Sequence, residues 1–273
     1  DRVLFSPNQA LGFSLPEGVI SQVLPRKTVL SRADNLSRRK EQLIASNVDL
    51  LLITMSVVEP ALKIPLIDRY LIAAYKGGLD PILVINKIDL LKRKNELAEF
   101  EKALFTEILE VYPRLGIPVV AVSGETGEGI DLLVERMRGK TSVFSGQSGV
   151  GKTSLINRVC GISRKVREIV EKTQKGAHTT TNAELLHLPC GGWCVDTPGI
   201  KSFGVWSLSP QEVRGYFEDI HLLSVGCLFP DCTHSHEKQC AVQNAVETGE
   251  LSLFRYQSYL ALMKSSLQEH KKR

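Results

Sequence analysis

The octapeptide Gly146-Gln147-Ser148-Gly149-Val150-Gly151-Lys152-Thr153 restricts the fold of this chain more than any other segment. It fits a phosphate-cradling loop at each required position, between the strand-like run 141–145 and a helical pattern that starts near Lys152. The glycines let successive backbone N–H groups turn inward around phosphate oxygens, and the helix N-terminus adds its positive dipole end. Lys152 would reach the β- and γ-phosphate oxygens and the Thr153 hydroxyl would ligate Mg²⁺, with Ser145 and Ser154 flanking the loop in the same nucleotide-binding set. Such a loop needs a strand handing over to a helix, and the surrounding sequence supplies the rest of that architecture. Apolar runs at 48–58, 81–86, 117–123, 141–145, 183–188 and 193–196 alternate with amphipathic stretches at 64–76, 96–112, 128–138 and 152–160. This pattern predicts an α/β domain with a mostly parallel sheet.

Two further motifs give the loop a ligand. Asn86-Lys87-Ile88-Asp89 directly follows the run 81–86, where Asp89 can accept hydrogen bonds from the N1–H and exocyclic amine of guanine, an edge that adenine does not offer. Lys87 would lie along the base, Asn86 would tie loops together, and Ser123-Gly124 would offer a backbone N–H to the guanine O6. Asp196-Thr197-Pro198-Gly199 follows the last apolar run, where Asp196 would serve the metal's outer shell and the Gly199 N–H would sense the γ-phosphate. In a common GTP-binding domain the phosphate loop comes first and the base motifs last. Here the order is base motif, base loop, phosphate loop and then Asp-Thr-Pro-Gly, which is a circular permutation. It is tolerated when the original termini lie close together on the surface.

The flanks differ from this core. Residues 1–45 read as a small β module with turn signals such as Leu15-Pro16-Glu17-Gly18, and the opening at Asp1 reads as trimmed. The core is expected at 46–206 and a helical module at 207–273, opened by the capping box Ser209-Pro210-Gln211-Glu212. In that module Cys227, Cys232 and Cys240, with His234 or His236, have the spacing of a structural Cys₃His zinc site. Cysteines beside histidines predict metal before disulfides and a reducing, cytoplasmic setting. Cys160, Cys190 and Cys194 have no histidine at useful spacing. The net charge of +4 resolves into basic excess over 1–45 and 141–206, including Arg158, Arg164, Lys165 and Arg167, against a slightly acidic 46–140. No apolar run approaches the ~18 residues of a membrane span.

The permuted order, GQSGVGKT, the AHTTT segment at 177–181, DTPG, GCLFPDCTH…CAV, the N-terminal LPRKT and the IASNVDLLLIT stretch together resemble the ribosome small-subunit-dependent GTPase A family (RsgA, also called YjeQ). The resemblance covers essentially the whole chain. It implies an OB-fold RNA-binding domain at the N-terminus, partial here because the family's domain exceeds 45 residues. It also implies a circularly permuted GTPase domain and a C-terminal zinc module in which His234 is the ligand. The implied activity is hydrolysis of GTP to GDP and phosphate, with Mg²⁺, by a monomeric late assembly factor of the bacterial 30S subunit that contacts 16S rRNA and is stimulated by docking. The position that usually holds a water-orienting Gln is Ile200, so the resemblance points to His178 as the catalytic group beside Lys152. Thr180, or else Thr179, would close on Mg²⁺. The competing reading is a GTP-gated RNA-binding switch whose hydrolysis only times release.

Overall fold

The structure, a computed structural model, describes residues 1–7, 18–33, 41–92, 96–162, 184–196 and 208–271. His178, Thr179, Thr180, Gly199 and Ile200, and most of the basic stretch after Arg158, lie outside the described residues.

A six-stranded sheet forms the centre. Its strands are β5 (Leu50–Ser56), β6 (Asp80–Asn86), β7 (Val119–Ala121), β8 (Thr141–Ser145), β9 (Glu184–His187) and β10 (Trp193–Asp196), preceded by β1 (Val3–Pro7), β2 (Gly18–Val23), β3 (Val29–Ala33) and β4 (Glu41–Ser46). The order across the sheet is β7-β6-β5-β8-β10-β9, with every neighbouring pair parallel except β10 and β9. The expected strands are all present, 141–145 and 193–196 with the expected limits, but some are shorter than their apolar runs: 48–58 contracts to Leu50–Ser56 and 117–123 to Val119–Ala121. Buried residues that flank a strand are apolar too, so hydrophobicity marks the run and not the limits of its ladder.

Every residue of β5 is buried because both faces of the sheet are covered. Leu51, Ile53 and Met55 pack with α1 (Ile64–Gly77) and α2 (Glu96–Arg114), whereas Leu50 and Leu52 pack with α3 (Ile130–Met137) and α4 (Lys152–Cys160). The alternation is that of successive strand side chains. α1 starts with Pro65 in its first turn and ends on Gly78 at φ 70°, whose N–H reaches the carbonyls of Ala74 and Tyr75. Only glycine adopts that left-handed cap without strain.

At the N-terminus, β1 pairs with β2 and β3 with β4, as two separate antiparallel sheets among the described residues. Leu30 of β3 enters the core beside β5 and α1. The C-terminal module comprises α5 (Pro210–Tyr216), α6 (Glu218–Ser224), α7 (Ala241–Glu247) and α8 (Leu253–Lys271). Its expected capping box is present, with Ser209 Oγ accepting from Glu212 N at 3.2 Å and Glu212 Oε2 accepting from Ser209 N at 2.7 Å.

This module is fastened to α1 by a buried charge cluster. Arg255 of α8 donates to Asp68 of α1 and, at 3.0 and 3.3 Å, to Asp219 of α6; its guanidinium also lies 4.0 Å above the Phe217 ring. Tyr112 of α2 donates to Asp68 at 3.1 Å. Burial raises the Asp68 pKa, opposed by the charge of Arg255, so the carboxylate depends on its cationic partner. Arg255→Met would strand two carboxylates and is expected to lower the unfolding free energy by about 3–5 kcal/mol in urea denaturation. Combining it with Asp68→Asn should recover part of that loss. A loss well under 1 kcal/mol in the single variant would show that the cluster does not hold the module.

Candidate functional site

Parallel pairing puts the C-terminal ends of β6, β8 and β10 on one edge of the sheet, so motifs far apart in sequence meet there. The phosphate loop follows β8. Gly146, Gly149 and Gly151 have φ of 150°, 83° and 93°, and a Cβ at Gly146 would lie 2.0 Å from the Thr54 carbonyl oxygen. The loop therefore needs its first glycine for close approach to β5. Gly146 and Val150 are buried, while Ser148 and Gly149 are exposed. Lys152 Nζ donates to the carbonyls of Gly146 at 2.8 Å and Gln147 at 2.9 Å, folding back over the loop. Burial lowers its pKa to about 8, opposed by the Asp196 carboxylate. Thr153 and Ser154 are half-buried in the first turn of α4, Ser145 is buried at the end of β8, and Asp196 is half-buried one residue beyond the Val195–Val143 pair.

The base motif leaves the end of β6. Asn86 is buried; its Nδ2 donates to the Val150 carbonyl of the phosphate loop at 2.8 Å, and its Oδ1 accepts from the Gly124 N–H at 2.9 Å. A single carboxamide thus joins the phosphate loop to the base loop. It also occupies the Gly124 N–H that the sequence offered to a base. Lys87 adopts φ 67° and donates to the Glu59 carbonyl; burial lowers its pKa, opposed by the carboxylates of Glu59 and Asp89. Asp89, in a short 3₁₀ turn (Ile88–Lys92), accepts from Ser123 Oγ at 2.6 Å.

Two contributors were not legible as site residues. The loop 57–63 borders both halves, through the Glu59 carbonyl on Lys87 and the Ala61 carbonyl, which accepts from Gln147 Nε2 at 3.4 Å. Backbone carbonyls carry no side-chain signature, so no motif could mark them. Arg158, grouped by sequence with a basic stretch, instead donates to the carbonyls of Gly124, at 2.6 Å, and Glu125.

Away from this edge, Cys227, Cys232, His234 and Cys240 offer ligand atoms that all lie within 4.8 Å of one another. His234 Nδ1 lies 3.5 Å from the Cys227 sulfur and 3.4 Å from that of Cys240, and the two sulfurs are 3.8 Å apart. The alternative ligand, His236, turns to Ser235 at 2.7 Å and is exposed. Burial pushes the Cys232 thiol up to about 12. Closely packed buried thiols resist ionisation unless a cation offsets the charge, so the donor set is compatible with zinc. The sequence did not mark Glu237, whose carboxylate accepts from Thr233 N at 2.8 Å, Ser235 N at 2.9 Å and His236 N at 3.1 Å and shapes the ligand loop. The Thr233 hydroxyl, which also donates to it, and the N–H groups of Thr233 and His236 hold its carboxyl well below the usual carboxylate range despite burial. The other cysteines are two buried core residues, Cys160 and Cys194, and the half-buried Cys190.

A family model described as RsgA GTPase matches residues 23–206. Small ribosomal subunit biogenesis GTPase RsgA of Chlorobaculum tepidum is 40% identical over 270 residues, covering 97% of this chain and 84% of that protein. Its counterpart RsgA 1 of Vibrio vulnificus strain YJ016 is 40% identical over 249 residues, covering 91% and 68%. Among solved structures, YjeQ from Thermotoga maritima superposes with a TM-score of 0.71 at 34% identity, over 98% of this chain and 83% of that one. YloQ, titled a circularly permuted GTPase, superposes with a TM-score of 0.64 at 26% identity, over 97% and 91%. No helix among the described residues is long and apolar enough to cross a membrane.

The Asn86 bridge is testable without any ligand. Asn86→Ala would leave a carbonyl and an N–H without their partner, and should cost about 2–3 kcal/mol of stability in urea unfolding. A change under about 0.5 kcal/mol would mean the two loops are held by other contacts.

Proposed function

This chain belongs to the RsgA GTPase family, and from that premise we propose that it hydrolyses GTP to GDP and phosphate in the biogenesis of the small ribosomal subunit and is stimulated by docking there. Curated relatives carry the name small ribosomal subunit biogenesis GTPase. The observation that carries the reading is the Asn86 carboxamide, which brings base motif and phosphate loop together as a nucleotide requires.

In this reading Asp89 accepts from the guanine N1–H and exocyclic amine, Lys87 flanks the base, and Ser123 and Gly124 shape its pocket. Residues Gly146 to Thr153 cradle the phosphates. Lys152 then exchanges its two loop carbonyls for phosphate oxygens, and Thr153 and Asp196 serve the magnesium ion that accompanies GTP in this family. His178 as the group that orients water, Thr180 or Thr179 as the switch threonine and Gly199 as the γ-phosphate sensor rest on the sequence motifs alone. Cys227, Cys232, His234 and Cys240 hold one structural zinc ion. We further assign residues 1–45 as part of an OB-fold, 46–206 as the GTPase domain and 207–273 as the zinc module. The chain acts as a cytoplasmic monomer whose outer modules contact 16S rRNA.

The reading is tested by co-sedimentation with purified 30S subunits, with GTP hydrolysis measured in the same samples. Pelleting should increase with a non-hydrolysable GTP analogue over GDP, and subunits should raise the hydrolysis rate; no pelleting and no rate increase would overturn it. In single turnover, His178→Ala should lower the rate while GTP affinity is kept, and an unchanged rate would remove His178 from the mechanism. Metal analysis should find about one zinc per chain, retained in His236→Ala and lost in His234→Ala. Loss in His236→Ala alone would reverse the ligand assignment.

A further inference from the structure

Arg158 lies in the last turn of α4, the helix that begins with the phosphate-binding Lys152. It is exposed and six residues beyond that lysine, about 9 Å along the helix axis. Its guanidinium is nevertheless engaged with the base loop. Nε donates to the Gly124 carbonyl at 2.6 Å and Nη2 donates to the Glu125 carbonyl. The approach is close: a Cβ at Gly127, whose φ is 89°, would lie 3.0 Å from Arg158 Nη1. One turn earlier on the same helix face, Ser154 backs onto the loop, its Cβ 3.4 Å from where a Gly124 Cβ would stand.

These bonds set the orientation of two peptide planes. In a planar trans peptide the C=O and the following N–H point in opposite directions. Holding the Glu125 oxygen toward α4 therefore turns the Thr126 N–H the other way, where it meets Ser123 Oγ at 3.0 Å. That hydroxyl has one proton to give, and it gives it to Asp89 at 2.6 Å. An unbroken chain of hydrogen bonds thus runs from the guanidinium through the Glu125–Thr126 peptide and the Ser123 hydroxyl to the Asp89 carboxylate.

We propose that Arg158 is a positioning residue for guanine selectivity: it fixes, from the phosphate-binding helix, the loop that aims Asp89 at the exocyclic amine of the base. The proposal rests on the reading of Asp89 as the guanine-recognising carboxylate. It assigns to Arg158 a role within the nucleotide site instead of in RNA contact.

The test compares equilibrium affinities of the full chain for GDP, inosine diphosphate and ADP, in the wild type, Arg158→Ala and Arg158→Lys. Inosine lacks the exocyclic amine, so the ratio of its affinity to that of GDP reports on the aim of Asp89. Arg158→Ala should weaken GDP about tenfold, and should weaken inosine diphosphate less, so that the preference for GDP over it contracts at least about threefold. Arg158→Lys keeps the charge and one donor direction and should fall between. Equal weakening of both ligands, as a merely structural role would give, overturns the proposal, as does no change at all. Should Arg158→Ala fail to fold, Arg158→Lys decides alone, since a contracted ratio supports the proposal and an unchanged one overturns it. A wild type that does not prefer GDP to ADP overturns the guanine reading and the proposal together. A wild-type preference preserved in both variants removes the proposal only.

Discussion

The nucleotide site depends on one buried carboxamide. Asn86 gives its N–H to the Val150 carbonyl and takes the Gly124 N–H on its oxygen, bridging segments 64 and 38 residues away. Neither loop belongs to a helix or strand at those atoms, so without Asn86 a carbonyl and an amide would lose their partner together. Nothing in this bond refers to chain order. It requires only that β6 and β8 flank β5 in parallel, which puts the two loops on one edge. A permuted chain satisfies that as well as an unpermuted one does.

The helix α1 extends this arrangement into the C-terminal module. The loop that leads into it supplies carbonyls to Lys87 and Gln147 at the nucleotide edge. Further along, Asp68 meets Arg255, Arg69 donates to Ser265 at 3.2 Å, and Lys76 pairs with Glu212 at 2.9 Å. Ile72 of the same helix enters the core around Phe217, Tyr259 and Met263. α1, with the loop before it, therefore links the nucleotide edge to the core of the C-terminal module. His234 itself is held from α8, since Tyr256 donates to its carbonyl, and from α7 by Gln243 at 3.1 Å.

The sequence exposed what depends on local pattern. Strands buried on both faces are continuous apolar runs, so β5, β6 and β8 stood out, and Gly146–Thr153 and Asn86–Asp89 announced themselves because each requires particular residues at fixed offsets. The helix limits at Lys152 and Cys160 agree with the amphipathic stretch 152–160 that follows the phosphate loop. What escaped were pairings set by the tertiary fold. Asp68 and Arg255 lie 187 positions apart and each looks like an ordinary charge on an amphipathic helix. Arg158 looked like one of several surface cations because its acceptors are backbone carbonyls. His234 and His236 were equivalent by spacing, and the difference arises from the turn at φ 61° that points one ring at the sulfurs. At the N-terminus a partial OB-fold was expected, and among the described residues the strands there pair as two separate antiparallel sheets.

In the proposed reading a reordered chain builds one guanine-nucleotide site from β6 and β8 ends latched by Asn86. Its most direct measurement is a crystal structure with GDP and Mg²⁺. The account predicts the base edge on Asp89, the phosphates within Gly146–Thr153 and the Lys152 ammonium moved from the Gly146 and Gln147 carbonyls onto them. Phosphates bound outside that loop, or a guanine that does not reach Asp89, would contradict it.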